Sequence, residues 1–156
     1  EGLLSLSFID NASRIYLIEN DPVWFKPIEA TFKEYLDNKV FLIKKTINNY
    51  TSDNTITLQN IIENDPHDSF FIKMDIEGAE IDVLKASLDF LCNTEKKIKL
   101  AICCYHRRND AHEIEKLIEK IGYSYSYSDG YILASFFDPS GIPSLRRGII
   151  RAFNRM

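Results

Sequence analysis

Short apolar runs alternate along the chain with segments whose apolar residues recur every three or four positions. The runs have the length of buried strands, and the repeating spacing places apolar side chains on one face of a helix. This alternation predicts an α/β fold with a parallel sheet covered by helices on both faces. The predicted strands are residues 15–18, 40–43, 70–74 and 98–104, and the predicted helices are residues 3–9, 23–36, 58–63 and 110–121, with one further helix bearing Ile81, Leu84, Leu88 and Leu91.

The pattern changes towards the carboxyl end of the chain. Residues 122–127 and 131–137 are separated by a Ser-Asp-Gly turn signal, which predicts an antiparallel hairpin. Arg147, Arg151 and Arg155 follow one another at intervals of four, which predicts one solvated face of a helix. No repeat, low-complexity segment or linker interrupts the chain, so residues 1–156 are expected to form a single domain.

Composition narrows the range of partners. A net charge of −4 and a pI near 5.4 argue against a general nucleic-acid binder, which needs a basic surface. No apolar run approaches the about 20 residues needed to cross a bilayer, so no membrane partner is expected. The three cysteines are an odd number, and Cys103 and Cys104 are adjacent on a predicted core strand. Reduced thiols and a cytoplasmic location are therefore expected.

Three acids follow the predicted strand 70–74 within six positions: Asp75, Glu77 and Glu80. Carboxylates this close repel one another unless water, a cation or hydrogen-bond donors satisfy them. Ligands of open α/β sheets bind beyond the carboxyl ends of the strands, so this segment predicts the edge of an active site. Gly78 lies between the acids and would let the backbone approach a ligand closely. The alternative is that the glutamates only complement the dipole of the following helix.

Two more residues are expected at strand ends. His106 follows the strand 98–104, should emerge at the same edge as Asp75, and has the chemistry of a general base. Glu19 ends the strand 15–18, where an acid can accept both ribose hydroxyls of a nucleotide-type cofactor. Each could instead be an ordinary exposed strand-end residue. The cysteines with His106 and His112 lack the spacing of zinc ligands, so no metal site is expected.

The segment KMDIEGAE at residues 73–80 closely resembles the signature of the FkbM-type methyltransferases. These enzymes use S-adenosylmethionine and mostly methylate hydroxyl groups of sugars and related metabolites. The segments CCYH at residues 103–106 and LRRG at residues 145–148 resemble further parts of the family. Gln59 and Ala86 depart from it, since aspartate and glycine are common at these positions.

The resemblance implies a doubly wound, mostly parallel Rossmann-like methyltransferase sheet with an antiparallel hairpin at its carboxyl end. It implies methyl transfer from S-adenosylmethionine to a hydroxyl oxygen of a small-molecule or glycan acceptor. Asp75 and Glu77 would border the reacting centre, and His106 would be the candidate base. Glu19, Gly2 and Asp75 would contact the cofactor.

The start of the chain resembles the tail of the glycine-rich cofactor loop in this family. The strand before that loop and most of the loop itself are therefore expected to be missing, which makes the chain an N-terminally truncated fragment. Two alternatives remain. One is a nicotinamide-dependent oxidoreductase on a similar sheet, and the other is a non-catalytic relative that binds a partner.

Overall fold

The computed structural model describes residues 2–134 and 143–154. The chain consists of two compact units, Glu1–Thr57 and Leu58–Met156. Helices and strands alternate as predicted. The elements of the first unit are α1 (Leu3–Ser7), β1 (Ile15–Ile18), α2 (Pro22–Thr31), β2 (Val40–Ile43), β3 (Thr46–Ile47) and β4 (Thr55–Ile56). The elements of the second unit are α3 (Leu58–Glu63), β5 (Ser69–Met74), α4 (Glu80–Ala86), α5 (Leu88–Asn93), β6 (Lys97–Cys103), α6 (Asp110–Ile121), β7 (Ser124–Tyr127), β8 (Ile132–Leu133), β9 (Leu145–Arg146) and β10 (Ile149–Phe153).

The first unit pairs β1 with β2 in parallel, and β3 with β4 in parallel. Asp21 caps α2, because its side chain accepts a hydrogen bond from the Val23 N–H and Pro22 occupies the start of the helix. The helix ends at Thr31 instead of at residue 36. Beyond it the Tyr35 N–H closes a tighter turn on the Phe32 carbonyl, which also accepts the Leu36 N–H. The Phe32 side chain is still fully buried, and the core of this unit consists of Ile9, Ile28, Phe32 and Val40.

The second unit is built on a four-stranded mixed sheet with the order β5-β6-β10-β7. β5 and β6 are parallel, whereas β10 runs antiparallel to both β6 and β7. In the parallel pair Met74 lies opposite Ile102, so both strands end at the same edge of the sheet. The largest fully buried apolar side chains of this unit are Ile62, Leu84, Leu91, Ile98, Leu100, Ile102, Ile114, Ile118 and Ile150.

The helix after residue 78 is broken in two at Ser87, contrary to the prediction of one continuous helix. Ser87 has φ −102° and ψ 4°, which ends α4, and its carbonyl accepts from the Leu91 N–H within α5. A serine competes with helical geometry through its short polar side chain. The buried apolar residues of the two helices therefore differ from the predicted stripe, and they are Val83, Leu84, Phe90 and Leu91.

The pairing of the carboxy-terminal strands differs from the predicted hairpin. β7 pairs with β10, and β8 pairs with β9, so the prediction that residues 122–127 pair with residues 131–137 is wrong. Residues 135–137 lie outside the described part of the chain. The antiparallel character of this region is confirmed. β10 offers β7 a longer apolar partner than β8 does, which explains the exchange of partners.

The predicted arginine face of a helix is also wrong, because Arg151 belongs to the strand β10. Ile150 and Ala152 are buried on one side of this strand, and Arg151 and Phe153 are exposed on the other. Burial that alternates from one residue to the next is typical of a strand, whereas the spacing of the arginines at every fourth position had indicated a helix. Arg155 lies outside the described residues. Among the described residues, no helix is both long enough and apolar enough to span a membrane.

Candidate active site

One imidazole lies among three carboxylates at the edge where β5 and β6 end. The Nε2 atom of His106 is 3.2 Å from Oδ1 of Asp75 and 3.3 Å from Oε1 of Glu80. Its Nδ1 atom is 3.6 Å from Oε2 of Glu77. The His106 side chain is only 6% exposed, whereas that of Glu77 is 86% exposed. The structure therefore brings together Asp75, Glu77 and His106, the three residues that the sequence proposed for catalysis.

Glu80 is a larger part of this cluster than the sequence indicated. Its side chain is 1% exposed, and its Oε1 accepts the N–H of Ile76 at 2.8 Å. The sequence analysis placed it in the acid cluster but gave it no catalytic role. The missed signal is its place at the first position of α4, from which a side chain can fold back onto the preceding turn.

A sharp turn between β5 and α4 gathers these acids. Glu77 and Gly78 are consecutive residues with φ of 54° and 93°, in the left-handed region that glycine tolerates best. A Cβ atom on Gly78 would lie 3.3 Å from Nε of Arg107. The turn therefore needs glycine at position 78 for two reasons, its backbone conformation and the adjacent arginine.

Gly78→Ala is expected to lower the free energy of unfolding by about 1–3 kcal/mol, because alanine is strained at this φ and crowds Arg107. Gly130→Ala is the matched control, since Gly130 also has positive φ but nothing lies within 4 Å of its Cβ position. Denaturant unfolding of both variants measures the difference. Equal losses would show that the contact with Arg107 adds nothing.

Asp75 is held in its ionised form. Burial raises its pKa, but hydrogen bonds from Cys103 and Lys73, the Lys73 charge and a hydrogen bond from Tyr105 outweigh burial and lower the pKa below its usual value. The Lys73 Nζ atom is 3.2 Å from Oδ2, and the Tyr105 hydroxyl donates to Oδ1 at 3.0 Å. The sequence analysis missed both of these partners, because neither residue type is distinctive without its position.

The cysteines beside the site are not activated. Burial, the largest cause, raises the pKa of Cys103, and it raises the pKa of Cys104 to about 12. Both side chains are buried, and all three cysteines of the chain are free thiols. The expectation that Cys103 and Cys104 are reduced core residues therefore agrees with their environment.

Asp75, Glu80 and His106 also offer one ligand atom each within 4.8 Å of one another, a spacing that could hold a divalent cation. Against that reading, the Lys73 ammonium and the Tyr105 hydroxyl already bind Asp75. No other feature of the described residues points to an ion at this place.

Gly2 and Glu19, the predicted cofactor contacts, belong to the first unit. Oε1 of Glu19 accepts the N–H groups of Asn20 and Asp21, each at 2.8 Å, which fixes the half-buried carboxylate just after β1. Gly2 has φ 74°, and a Cβ there would lie 2.6 Å from Cε2 of Phe32. Packing alone thus requires a glycine at position 2, and the cofactor roles of both residues stay predictions.

Comparison with known proteins identifies the kind of fold. A family model described as the methyltransferase FkbM domain matches residues 10–125. The crystal structure of methyltransferase FkbM from Methylobacillus flagellatus KT has a TM-score of 0.63 and 22% sequence identity, and the match covers 91% of this chain and 36% of that chain. The chain thus spans little more than a third of that neighbour's length.

Two further solved structures share the fold at lower identity. Precorrin-6y C5,15-methyltransferase from Geobacter metallireducens GS-15 has a TM-score of 0.52 and 16% identity, covering 90% of this chain and 67% of that chain. An S-adenosylmethionine-dependent O-methyltransferase from Thermotoga maritima has a TM-score of 0.55 and 11% identity, covering 92% and 50%. No curated protein sequence matches the chain. The predicted Rossmann-like methyltransferase fold is confirmed.

Proposed function

This chain belongs to the FkbM family of methyltransferases, and from that premise we propose that it transfers the methyl group of S-adenosylmethionine to a hydroxyl oxygen. The acceptor would be a sugar or another small metabolite. The observation that carries the proposal is the buried His106 imidazole among the carboxylates of Asp75, Glu77 and Glu80. An alcohol must lose a proton during methylation, and such a site can take it.

The chemistry of the first unit fits the cofactor. Bound S-adenosylmethionine supplies an electrophilic methyl group on a sulfonium. Its ribose carries two hydroxyl donors, and Glu19 offers a carboxylate whose orientation is fixed by two backbone N–H groups. An ionised, oriented acceptor at the end of β1 matches the need of a ribose diol.

The hydrogen bonds of His106 favour one tautomer. A proton on Nε2 would be shared with Asp75 and Glu80, whose oxygens lie 3.2 and 3.3 Å away. In that tautomer Nδ1, which lies 3.6 Å from Oε2 of the exposed Glu77, is the atom that we assign to accept the proton of the hydroxyl acceptor.

The surrounding carboxylates would stabilise the imidazolium that forms. Asp75 and Glu80 would hold the ring through Nε2–H, in the manner of an acid that orients a catalytic histidine. Asp75, kept ionised by Lys73 and Tyr105, would also offset the positive charge of a sulfonium nearby. The exposed Glu77 would border the acceptor on the Nδ1 side.

Glu19→Gln is expected to weaken cofactor binding by about 1.5–3 kcal/mol, because a neutral amide replaces an ionised acceptor. Methyl transfer at saturating cofactor should stay nearly unchanged. Calorimetric titration of the full-length protein with S-adenosylmethionine measures the affinity. Glu29→Gln serves as the control, since Glu29 is an acid of the same unit that pairs with Lys44. Unaltered affinity in Glu19→Gln would return Glu19 to a structural role.

The same titration also tests the two alternatives, an oxidoreductase and a non-catalytic relative. Tight binding of NAD without binding of S-adenosylmethionine would support an oxidoreductase. Binding of neither would support a non-catalytic relative, a reading that the departure at Gln59 suggested. Gln59 donates to Glu63 at 3.0 Å on α3. The cytoplasmic location inferred from the free thiols is part of the proposal.

A further inference from the structure

Arg146 is a buried cation, and the residue is only 6% exposed. Its Nη1 atom donates to the carbonyl of Tyr105 at 2.9 Å and to the carbonyl of His106 at 2.8 Å. Its Nε atom donates to Oγ of Ser144 at 3.1 Å. A guanidinium is a rigid fork of donors, so these bonds fix several backbone atoms at once.

The two carbonyls belong to the residues that matter most at the site. Tyr105 and His106 both contact Asp75 through their side chains, and their rings lie 4.3 Å apart between centroids. They follow β6 in a segment without regular secondary structure. From β9, Arg146 donates to the carbonyls of both residues.

The neighbouring residue is tied down by the same stretch of chain. The Cys104 N–H donates to the carbonyl of Gly148 at 3.0 Å, and the Cys104 thiol donates to the carbonyl of Arg147 at 3.4 Å. The chain from β9 to β10 thus holds residues 104–106 through the Arg146 side chain and through the carbonyls of Arg147 and Gly148. The carboxylates of Asp75 and Glu80 hold the His106 ring.

We propose that Arg146 is a positioning residue, which orients the His106 imidazole by fixing the carbonyls of Tyr105 and His106. The inference rests on the proposed function, since it assigns His106 as the group to be oriented. Arg146 lies beyond residues 10–125, which the family model matches, so this contact comes from outside the matched part of the domain. Misplacing a base by about 1 Å can cost about 100-fold in rate.

Arg147 provides a matched control beside it. Its guanidinium lies over the rings of Tyr127 and Tyr131, 5.1 and 4.4 Å from their centroids. Its backbone carbonyl accepts from the Cys104 thiol after β6, and that contact survives a change of side chain. Arg147→Gln therefore removes a charge from the adjacent position without removing the donors to Tyr105 and His106.

The test compares Arg146→Gln, Arg146→Lys and Arg147→Gln in the full-length protein. NMR of ¹⁵N-labelled histidine reports the tautomer and environment of His106, whose signals are assigned by their loss in His106→Gln. The expected result is a changed His106 spectrum in Arg146→Gln, an intermediate change in Arg146→Lys, and a native spectrum in Arg147→Gln. The turnover number should fall by about 10–100-fold in Arg146→Gln at unchanged cofactor affinity.

A folded Arg146→Gln protein with the native His106 spectrum and the native turnover number would overturn the proposal. If Arg146→Gln does not fold, the same readings on Arg146→Lys decide, because lysine keeps the charge but not the fork of donors. The spectrum is read without any acceptor. A changed His106 spectrum in a protein without methyltransferase activity would thus support the positioning role and contradict the proposed function.

Discussion

His106→Gln is expected to lower the rate of methyl transfer by about 10²–10⁴-fold, the usual contribution of a positioned general base. Glutamine can still donate to Asp75, but it has no atom that can take up the proton of the acceptor. Cofactor affinity should be unchanged, since the variant keeps Glu19, Gly2 and Asp75, the predicted cofactor contacts, and retains a donor to Asp75. Single-turnover methyl transfer at saturating cofactor is the measurement.

His112→Gln is the control for this variant. His112 is an exposed histidine on α6, whose Nδ1 lies 3.8 Å from Oε2 of Glu115. It should transfer methyl groups at the native rate. Full activity in His106→Gln would remove histidine from the mechanism, and Asp75 would then be the next candidate base.

Asp75→Asn is expected to damage both acceptor binding and turnover, because the carboxylate contacts His106, Tyr105 and Lys73 together. The asparagine amide keeps the shape of the aspartate side chain. Its NH₂ group, however, takes the place of an oxygen that accepts from Tyr105 or Lys73, and it cannot accept a hydrogen bond. We expect a loss of about 10²–10³-fold in kcat/KM, typical for removal of one preorganised electrostatic contact. Steady-state kinetics across acceptor concentrations separates the effects on kcat and KM.

Asp82→Asn controls for a general loss of negative charge, since Asp82 is an exposed acid on α4. It should leave both kinetic constants native. If Asp75→Asn changed KM alone, Asp75 would bind the acceptor without assisting the reaction. If it changed neither constant, the residue would not border the reacting centre.

Asp75 also links stability to pH. Its pKa is lowered in the folded protein, so its ionised form stabilises the fold above the unfolded pKa of about 3.9. This contribution is lost as the pH falls through the lower, folded value. Because the side chain is 44% exposed, solvent screening keeps the contribution small. Asp75→Asn should therefore reduce only slightly the fall of the free energy of unfolding at acid pH.

The parallel strands were predictable because each is a run of apolar residues bounded by polar ones. β1, β2 and α6 have the predicted bounds, β5 begins one residue earlier, and β6 begins and ends one residue earlier. Strand partners were less predictable. Nothing local in residues 122–133 shows that β7 pairs with β10, because that pairing depends on a strand that comes later in the chain.

The residues of the candidate site also differ in how far the sequence predicts them. Asp75, Glu77 and His106 were predictable, because residues at the carboxyl ends of neighbouring parallel strands meet at one edge. Glu80 and Arg146 were not, because their burial depends on where the chain folds back. An arginine in an LRRG segment is exposed by default, whereas this one is buried with hydrogen bonds to the carbonyls of Tyr105 and His106.

The most direct test of the proposed activity supplies the full-length protein with S-adenosylmethionine carrying an isotope-labelled methyl group and a panel of sugars and hydroxylated metabolites. Product analysis locates the label, with His106→Gln run in parallel. The account predicts label on an acceptor oxygen as a methyl ether, formed by the native protein and greatly reduced in the variant. Label on carbon or nitrogen, or equal labelling by both proteins, would contradict it.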